Sequence, residues 1–208
     1  MLTILVANIK GGCGKTTLAT HLAAASAGVG KLTALADLDR QRSSLGWLER
    51  RPESASPVTG LDWTKDIGER PGGYQRLIID APAALKTKQI EELVRMADVV
   101  VLPVLPSVFD EQATERFLGK LDELKSIAKN RKGVAVVGNR LRARTKATDR
   151  LDSFLGGIGH RVVTRLRDSQ IYAEAAASGL SLFDLPGKRA AEHRADWKPL
   201  LAYIDAVG

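Results

Sequence analysis

An apolar run, LTILVANI (Leu2 to Ile9), passes through KGGCGKTT (Lys10 to Thr17) into LATHLAAASA (Leu18 to Ala27). The run is aliphatic or β-branched almost without interruption and reads as a buried strand; the Ala- and Leu-rich stretch reads as a helix. The glycines therefore sit at a strand-to-helix turn. From there strand-like and helix-like stretches alternate almost to the C-terminus, the pattern of right-handed βαβ units around a mostly parallel sheet. The expected fold class is α/β, three layers with a twisted sheet in the middle, in one domain over residues 1–208.

Further strands are expected over Leu32 to Asp39, Arg76 to Pro82, Asp98 to Ser107, GVAVVGNRL and HRVVTRL, the one from Asp98 broken by Pro103 and Pro106. Helices are expected over KTKQIEELVRMA, Asp110 to Asn130, Ala147 to Leu155, SQIYAEAAASG with Gly179 as an αL cap, and AAEHRADWKPLLAYIDAV with a kink at Pro199. No element is assigned from Arg51 to Gly73. Ligands of open α/β sheets bind at the carboxyl ends of the strands, which gathers the chemistry at Lys10 to Thr17, Asp37 to Arg42, Asp80 and Pro103 to Ser107.

Gly11, Gly12 and Gly14 remove Cβ atoms, so the backbone can close around an anion with its N–H groups pointing inward. The helix that follows adds the positive end of its dipole, and a polyphosphate fits such a nest. In the P-loop pattern G-x-x-x-x-G-K-[ST] the lysine reaches the terminal phosphates and the hydroxyl binds Mg²⁺, roles that fall to Lys15 and Thr16. The first glycine of the strict pattern is absent here, and Lys10 is additional. An ordinary glycine turn would need neither Lys nor Thr at this spacing.

Asp80 closes the apolar strand RLIID, where a Walker B acid holds the hydration shell of Mg²⁺; a turn former or helix N-cap is its plainer reading. Asp37 and Asp39 flank Leu38, so strand alternation sends both to one face. Two acids there repel each other unless a metal, a basic partner or water relieves them.

A chain of 208 residues can bury a full core in one domain. Its single cysteine, Cys13, excludes an intramolecular disulfide or a thiolate cluster within one chain, and inside the glycine turn it reads as a small spacer. The N-terminus enters a strand at once, without the layout of a signal peptide, and no apolar run approaches bilayer length, so a cytoplasmic protein is expected. Against 24 Asp and Glu, 31 Lys and Arg leave a net charge of +7 and a pI of about 9.7. A polyanionic partner and a basic solubilising surface both account for that balance.

Together, KGGCGKTT, DLDRQRSS, LIIDAP, VVLPVLPS and RLRDSQIYAEAAASGLSLFD resemble the ParA/MinD family of deviant-Walker P-loop ATPases, in the family's order and over nearly the whole chain. Within it they resemble the short ParF-like partition proteins that lack an N-terminal DNA-binding domain. The resemblance implies an ATPase using Mg²⁺. Gly11, Gly12, Cys13 and Gly14 would form the loop, Lys15 contact the β- and γ-phosphates, Thr16 coordinate the metal and Thr17 touch the α-phosphate. The segment closing the fifth strand, with Asn139, would help to hold adenine. Asp39 would position the attacking water, and Asp80 would act through metal-bound water. Lys10 matches the family's signature lysine, which crosses a homodimer interface to the partner's nucleotide, so that ATP becomes a dimerisation switch as well as a substrate. Where the family usually has proline this chain has Arg40, which leaves the loop more mobile. The resemblance further implies sequence-independent duplex DNA binding in the ATP-bound form, nucleoid association, and an adaptor on a cargo that stimulates hydrolysis. Plasmids, chromosome origins, carboxysomes and chemoreceptor clusters are cargoes of such proteins.

Arg140, Arg142, Arg144 and Lys146 occupy alternate positions and, in an extended segment, project to one side; Arg165 and Arg167 follow on the next strand and its exit. Such a line of charge suits duplex phosphates, and no aromatics interleave with it to stack on single-stranded bases. A solvated loop is the plainer reading. A MinD-like membrane ATPase competes with DNA binding, but DWKPLLAYIDAVG carries one lysine, two acids and a proline instead of a basic polar face. Trp197, Leu200, Leu201, Tyr203 and Ile204 have the spacing of a helix packed on a core. An iron protein on this scaffold needs cluster cysteines that Cys13 alone does not supply, and no acid-base constellation of a small-molecule synthetase is visible. A dimeric scaffold with negligible turnover is the remaining alternative; Asp39, Asp80 and both lysines stand against it.

Overall fold

The alternation of strand and helix holds throughout the computed structural model, which describes residues 1–124, 127 and 132–207. In order come β1 (Leu2–Val6), α1 (Lys15–Gly28), β2 (Thr33–Asp37), α2 (Ser43–Glu49), β3 (Thr59–Asp62), β4 (Arg76–Asp80) and α3 (Thr87–Met96). They are followed by β5 (Val99–Val104), α4 (Val108–Asp122), β6 (Gly133–Leu141), α5 (Lys146–Gly157), β7 (Val162–Arg167), α6 (Ile171–Ala177) and α7 (Lys188–Asp205). The strands form one sheet in the order β3-β2-β4-β1-β5-β6-β7, and every neighbouring pair is parallel. This is the three-layer P-loop NTPase fold. Strand alternation assigns the faces: Ile4, Val6, Ile78, Val101 and Val137 turn towards α1, α2, α6 and α7, whereas Leu5, Leu77, Ile79, Leu102 and Val136 turn towards α3, α4 and α5.

Two elements lie where the sequence carries no periodic signal. α2 is seven residues long, and β3 is an edge strand, mostly exposed, inside the segment from Arg51 to Gly73 where no element was expected. The strand from Asp98 is not broken at Pro103. β1 pairs with β5 only as far as Val6 opposite Val101, so the missing N–H of Pro103 interrupts no ladder there, and its carbonyl accepts a hydrogen bond from Asn8 Nδ2 at 2.9 Å. α4 starts at Val108 and its described part ends at Asp122, so the expected continuation to Asn130 falls largely outside the described residues. α7 runs continuously through Pro199, whose ring removes the hydrogen bond to the carbonyl of Ala195; that residue is exposed, so water can serve it.

The end of α2 is anchored on the segment after α6. Trp47 Nε1 donates to the Leu180 carbonyl at 3.1 Å, and the Arg51 guanidinium donates to Asp184 at 2.7 Å and to the Gly179 carbonyl at 3.1 Å. Gly179 takes the expected left-handed conformation (φ +66°), and a Cβ there would lie 2.4 Å from backbone atoms of Arg50 and Arg51. Gly179→Ala should therefore cost at least about 2 kcal/mol, combining left-handed strain with a backbone clash. Urea unfolding measures it; an unchanged midpoint would contradict the close approach.

Candidate nucleotide site

The turn after β1 is built to curl. Gly12 and Gly14 have φ of +78° and +98°, and a Cβ on Gly14 would meet the Asn139 side-chain nitrogen at 2.3 Å. Asn139 Nδ2 donates to the Cys13 carbonyl at 2.8 Å, so this residue, expected beside adenine, braces the loop itself. Asn8 braces it from the other side: its Oδ1 accepts the Lys10 N–H at 3.2 Å, while its Nδ2 also donates to Thr114 Oγ1 at 3.2 Å. Asn8 was not singled out from the sequence, although a polar residue closing an apolar run was a signal. The buried Lys15 ammonium donates to the Lys10 carbonyl at 2.9 Å, inside the curl. Cys13 is fully buried, and burial pushes its thiol pKa up, which fits a spacer and not a nucleophile.

Lys10 is half-buried, and among the described residues its ammonium forms no salt bridge. It lies near Asp110 of α4, a carboxylate raised by burial and pulled down by the charges of Lys10 and Lys15; its Oδ1 has no hydrogen-bond partner among the described residues. Gly11 is exposed, as are Arg40 and Gln41 in the loop that carries the half-buried Asp39. Arg42, which follows, is also left-handed (φ +54°) and pairs with Asp62 of β3.

The acids pair differently from the expectation. Register sets Val6, Asp80 and Asp37 side by side across β1, β4 and β2, so Asp37 faces Asp80, while Asp39 has left the strand. Among the described residues no basic side chain forms a salt bridge with Asp37. Its carboxylate accepts the N–H groups of Ser44 at 2.8 Å, Leu45 at 3.1 Å and Asp39 at 2.9 Å, against the burial that raises its pKa. Asp80 is pushed up to about 6 by burial and by Asp37, while hydrogen bonds from Ser44 and Thr16 and the charge of Lys15 pull it down. Ser44 was missed because one serine in a polar loop carries no sequence signal.

An open cavity of about 940 Å³ lies between the ends of β5 and β6 and the start of α6, lined by Thr17, Pro106, Asn139, Asp168, Gln170 and Tyr172 among others. The line of basic side chains does not form. β6 stops at Leu141, Arg140 and Arg144 are left-handed (φ 55° and 61°), and Lys146 opens α5, so these positions do not share one extended face. Arg142 pairs with Asp168 at the cavity rim, Arg165 with Asp152 and Arg167 with Asp196. Among the described residues Arg140, Arg144 and Lys146 form no salt bridge.

These residues fit a magnesium-bound triphosphate. The glycine curl is open at Gly12, where an added Cβ would meet nothing within 4 Å. Thr16 and Asp80 offer hard oxygen donors, and among the described residues no cluster of three or more His, Cys, Asp or Glu forms a cage. A partial protein shell of this kind suits Mg²⁺, which keeps water and phosphate ligands.

The model of the CobQ/CobB/MinD/ParA nucleotide binding domain matches residues 4–182. Maintenance of carboxysome distribution protein A of Halothiobacillus neapolitanus is 28% identical over 190 residues, covering 88% of this chain and 87% of that protein. An ATP complex of a substituted Cyanothece McdA superposes with a TM-score of 0.74 at 15% identity, over 100% of this chain and 96% of that one. The MinD cell division protein of Aquifex aeolicus gives 0.72 at 19% identity, over 97% of each. Both solved structures share the fold. By sequence from β1 to the segment after α6, and by the phosphate curl that this stretch builds, the chain belongs to the CobQ/CobB/MinD/ParA family of nucleotide-binding domains.

Proposed function

We propose that this protein is an ATP-hydrolysing dimerisation switch that, when ATP-bound, holds duplex DNA without reading sequence and positions a cargo through an adaptor that stimulates hydrolysis. A carboxysome is the favoured cargo, on the likeness to a carboxysome distribution protein over 88% of the chain. The observation that carries the ATPase assignment is the braced curl from Gly12 to Lys15, with the Lys15 ammonium inside it and the buried Asp80 paired in register with Val6 at the end of β1.

The Lys15 ammonium rests on a neutral carbonyl and exchanges it for β- and γ-phosphate oxygens, a charge-assisted contact. Gly11, Gly12, Cys13 and Gly14 present backbone N–H groups to the phosphates, and Thr17 at the cavity wall reaches the α-phosphate. Thr16, and Asp80 through water, would hold Mg²⁺, which when bound would neutralise charge on the transferring phosphoryl group. Asp39 Oδ1 accepts the Gln41 N–H at 3.0 Å, which leaves its other oxygen to orient the attacking water. Lys10, without a salt bridge among the described residues, serves the nucleotide of a second copy, coupling assembly to hydrolysis. The cavity beside Asn139 and Tyr172 would hold the nucleotide base and ribose.

Arg140, Arg144 and Lys146 are the cations that duplex phosphates meet, since the charges of Arg142, Arg165 and Arg167 are already matched by aspartates. Nucleoid association in the cytoplasm follows from that contact. A MinD-like membrane role is disfavoured because α7 buries Trp197, Leu200 and Ile204 in the core, which leaves them unavailable as an interfacial anchor. Cosedimentation with duplex DNA and, separately, with anionic vesicles discriminates the two roles.

Lys15→Ala should weaken binding of a fluorescent ATP analogue by at least about 100-fold; retained affinity would overturn the phosphate assignment. Lys10→Ala should bind ATP within about threefold of wild type yet lose at least about 100-fold in turnover, with no ATP-dependent dimer by light scattering. Unchanged turnover would remove the contact between copies. Replacing Arg140, Arg144 and Lys146 by Glu should abolish DNA retention, and replacing only Arg144 and Lys146, which do not line the cavity, should weaken it with nucleotide affinity preserved. Wild-type binding should weaken with salt, with these three cations contributing roughly 3 to the log–log slope; a salt-independent interaction would refute the electrostatic account.

A further inference from the structure

Ser44 is fully buried and commits two donors to two different acids. Its N–H donates to Asp37 Oδ2 at 2.8 Å and its hydroxyl to Asp80 Oδ2 at 2.7 Å. Those acids are register partners on β2 and β4. The Asp37 carboxylate also holds the N–H groups of Asp39 and Leu45, so a single bridge spans the strand ends, the Asp39 loop and the first turn of α2. The far end of α2 is fixed by Trp47 to Leu180 and by Arg51 to Asp184, on the segment whose Leu182 N–H donates to His21 Nε2 at 3.3 Å. With that nitrogen accepting, His21 Nδ1 donates to the Thr17 carbonyl at 2.8 Å. α2 is thus tied to the phosphate-loop helix at its far end through the core, and at its near end to Asp80 through one hydroxyl.

We propose that Ser44 is the positioning residue that links the metal-holding acid to the Asp39 loop. This rests on the assignment of Thr16 and Asp80 to Mg²⁺ made above. By claiming Oδ2 of Asp80, the Ser44 hydroxyl fixes the carboxylate plane and leaves Oδ1 for the water shell of the ion. Because the same residue holds Asp37 through its backbone, a shift of Asp80 on metal binding moves the start of α2 and the loop from Leu38 to Arg42. Without the hydroxyl, Asp80 loses a charge-assisted hydrogen bond in a buried site and its carboxylate is free to rotate, so the metal site and the loop become independent.

The test uses the full chain and N-methylanthraniloyl-ATP, titrated with Mg²⁺ and again in EDTA, together with amide hydrogen exchange over residues 38–48. Wild type should bind more tightly with Mg²⁺, and exchange over 38–48 should slow when the ion is added. Ser44→Ala should bind within twofold of wild type in EDTA, lose about tenfold of the Mg²⁺-dependent gain, and show no exchange response. Ser44→Thr, which keeps the hydroxyl, should restore both. If Ser44→Ala does not fold, Ser44→Cys, a weaker donor of similar size, should show the same loss in part. A full Mg²⁺ gain and a full exchange response in Ser44→Ala, or in Ser44→Cys where it stands in, would overturn the role of Ser44 alone. A wild type whose affinity and exchange ignore Mg²⁺ would overturn the metal assignment with it.

Discussion

Two carboxylates held next to each other in the interior of a sheet are the constraint around which the site is organised. Asp37 and Asp80 end adjacent parallel strands in register, and neither is exposed to water. Burial favours the neutral form of both, the charge of Asp39 adds to it at Asp37 as that of Asp37 does at Asp80, and both are held as carboxylates only where hydrogen-bond donors converge on them. Those donors come from the start of α2: the Ser44 and Leu45 N–H groups for Asp37 and the Ser44 hydroxyl for Asp80. A helix N-terminus is a favourable neighbour for an anion, because its first N–H groups lack partners and its dipole is positive there. This explains why seven residues with little apolar periodicity hold a helical conformation at all, and why the Asp39 loop leaves β2 where it does.

The phosphate curl is stabilised by the same logic with opposite polarity. The protein supplies partners for the curl in advance: the Lys10 carbonyl accepts from the Lys15 ammonium, Asn8 Oδ1 accepts the Lys10 N–H, and Asn139 Nδ2 donates to the Cys13 carbonyl as a strut. Donors held in place before the nucleotide arrives need little reorganisation when it binds, which is how electrostatic sites gain their strength. Gly14 is required because the strut approaches so closely that any Cβ would displace it.

Charge elsewhere is more balanced than the net value of +7 conveys. Arg142, Arg165 and Arg167 each meet an aspartate at the surface. Exposed pairs of this kind contribute little to stability, but they mask positive charge from an approaching polyanion. Arg140, Arg144 and Lys146, which form no salt bridge among the described residues, lie where β6 turns into α5, beside the open cavity, so the cavity wall and these cations share one loop.

The sequence by itself determined every strand of the central sheet except the edge strand β3, the glycine curl, Lys15 and Thr16 at its end, Asp80 at a strand terminus and the left-handed Gly179. Each of these depends on period, spacing or backbone freedom within about ten residues, and such signals survive in a linear string. Only the tertiary structure decided that Asp37 faces Asp80 instead of sharing a face with Asp39, that Asn8 and Asn139 brace the loop, that Ser44 joins two acids, and that the alternate arginines diverge. Those outcomes come from strand register and from contacts between residues as far apart as Cys13 and Asn139. The left-handed Arg42, Arg140 and Arg144 add turns that nothing in their side chains announces. Which partner a buried polar group meets is set by how β2, β4 and β6 lie against one another, and that placement is a property of the packed sheet and not of any one segment.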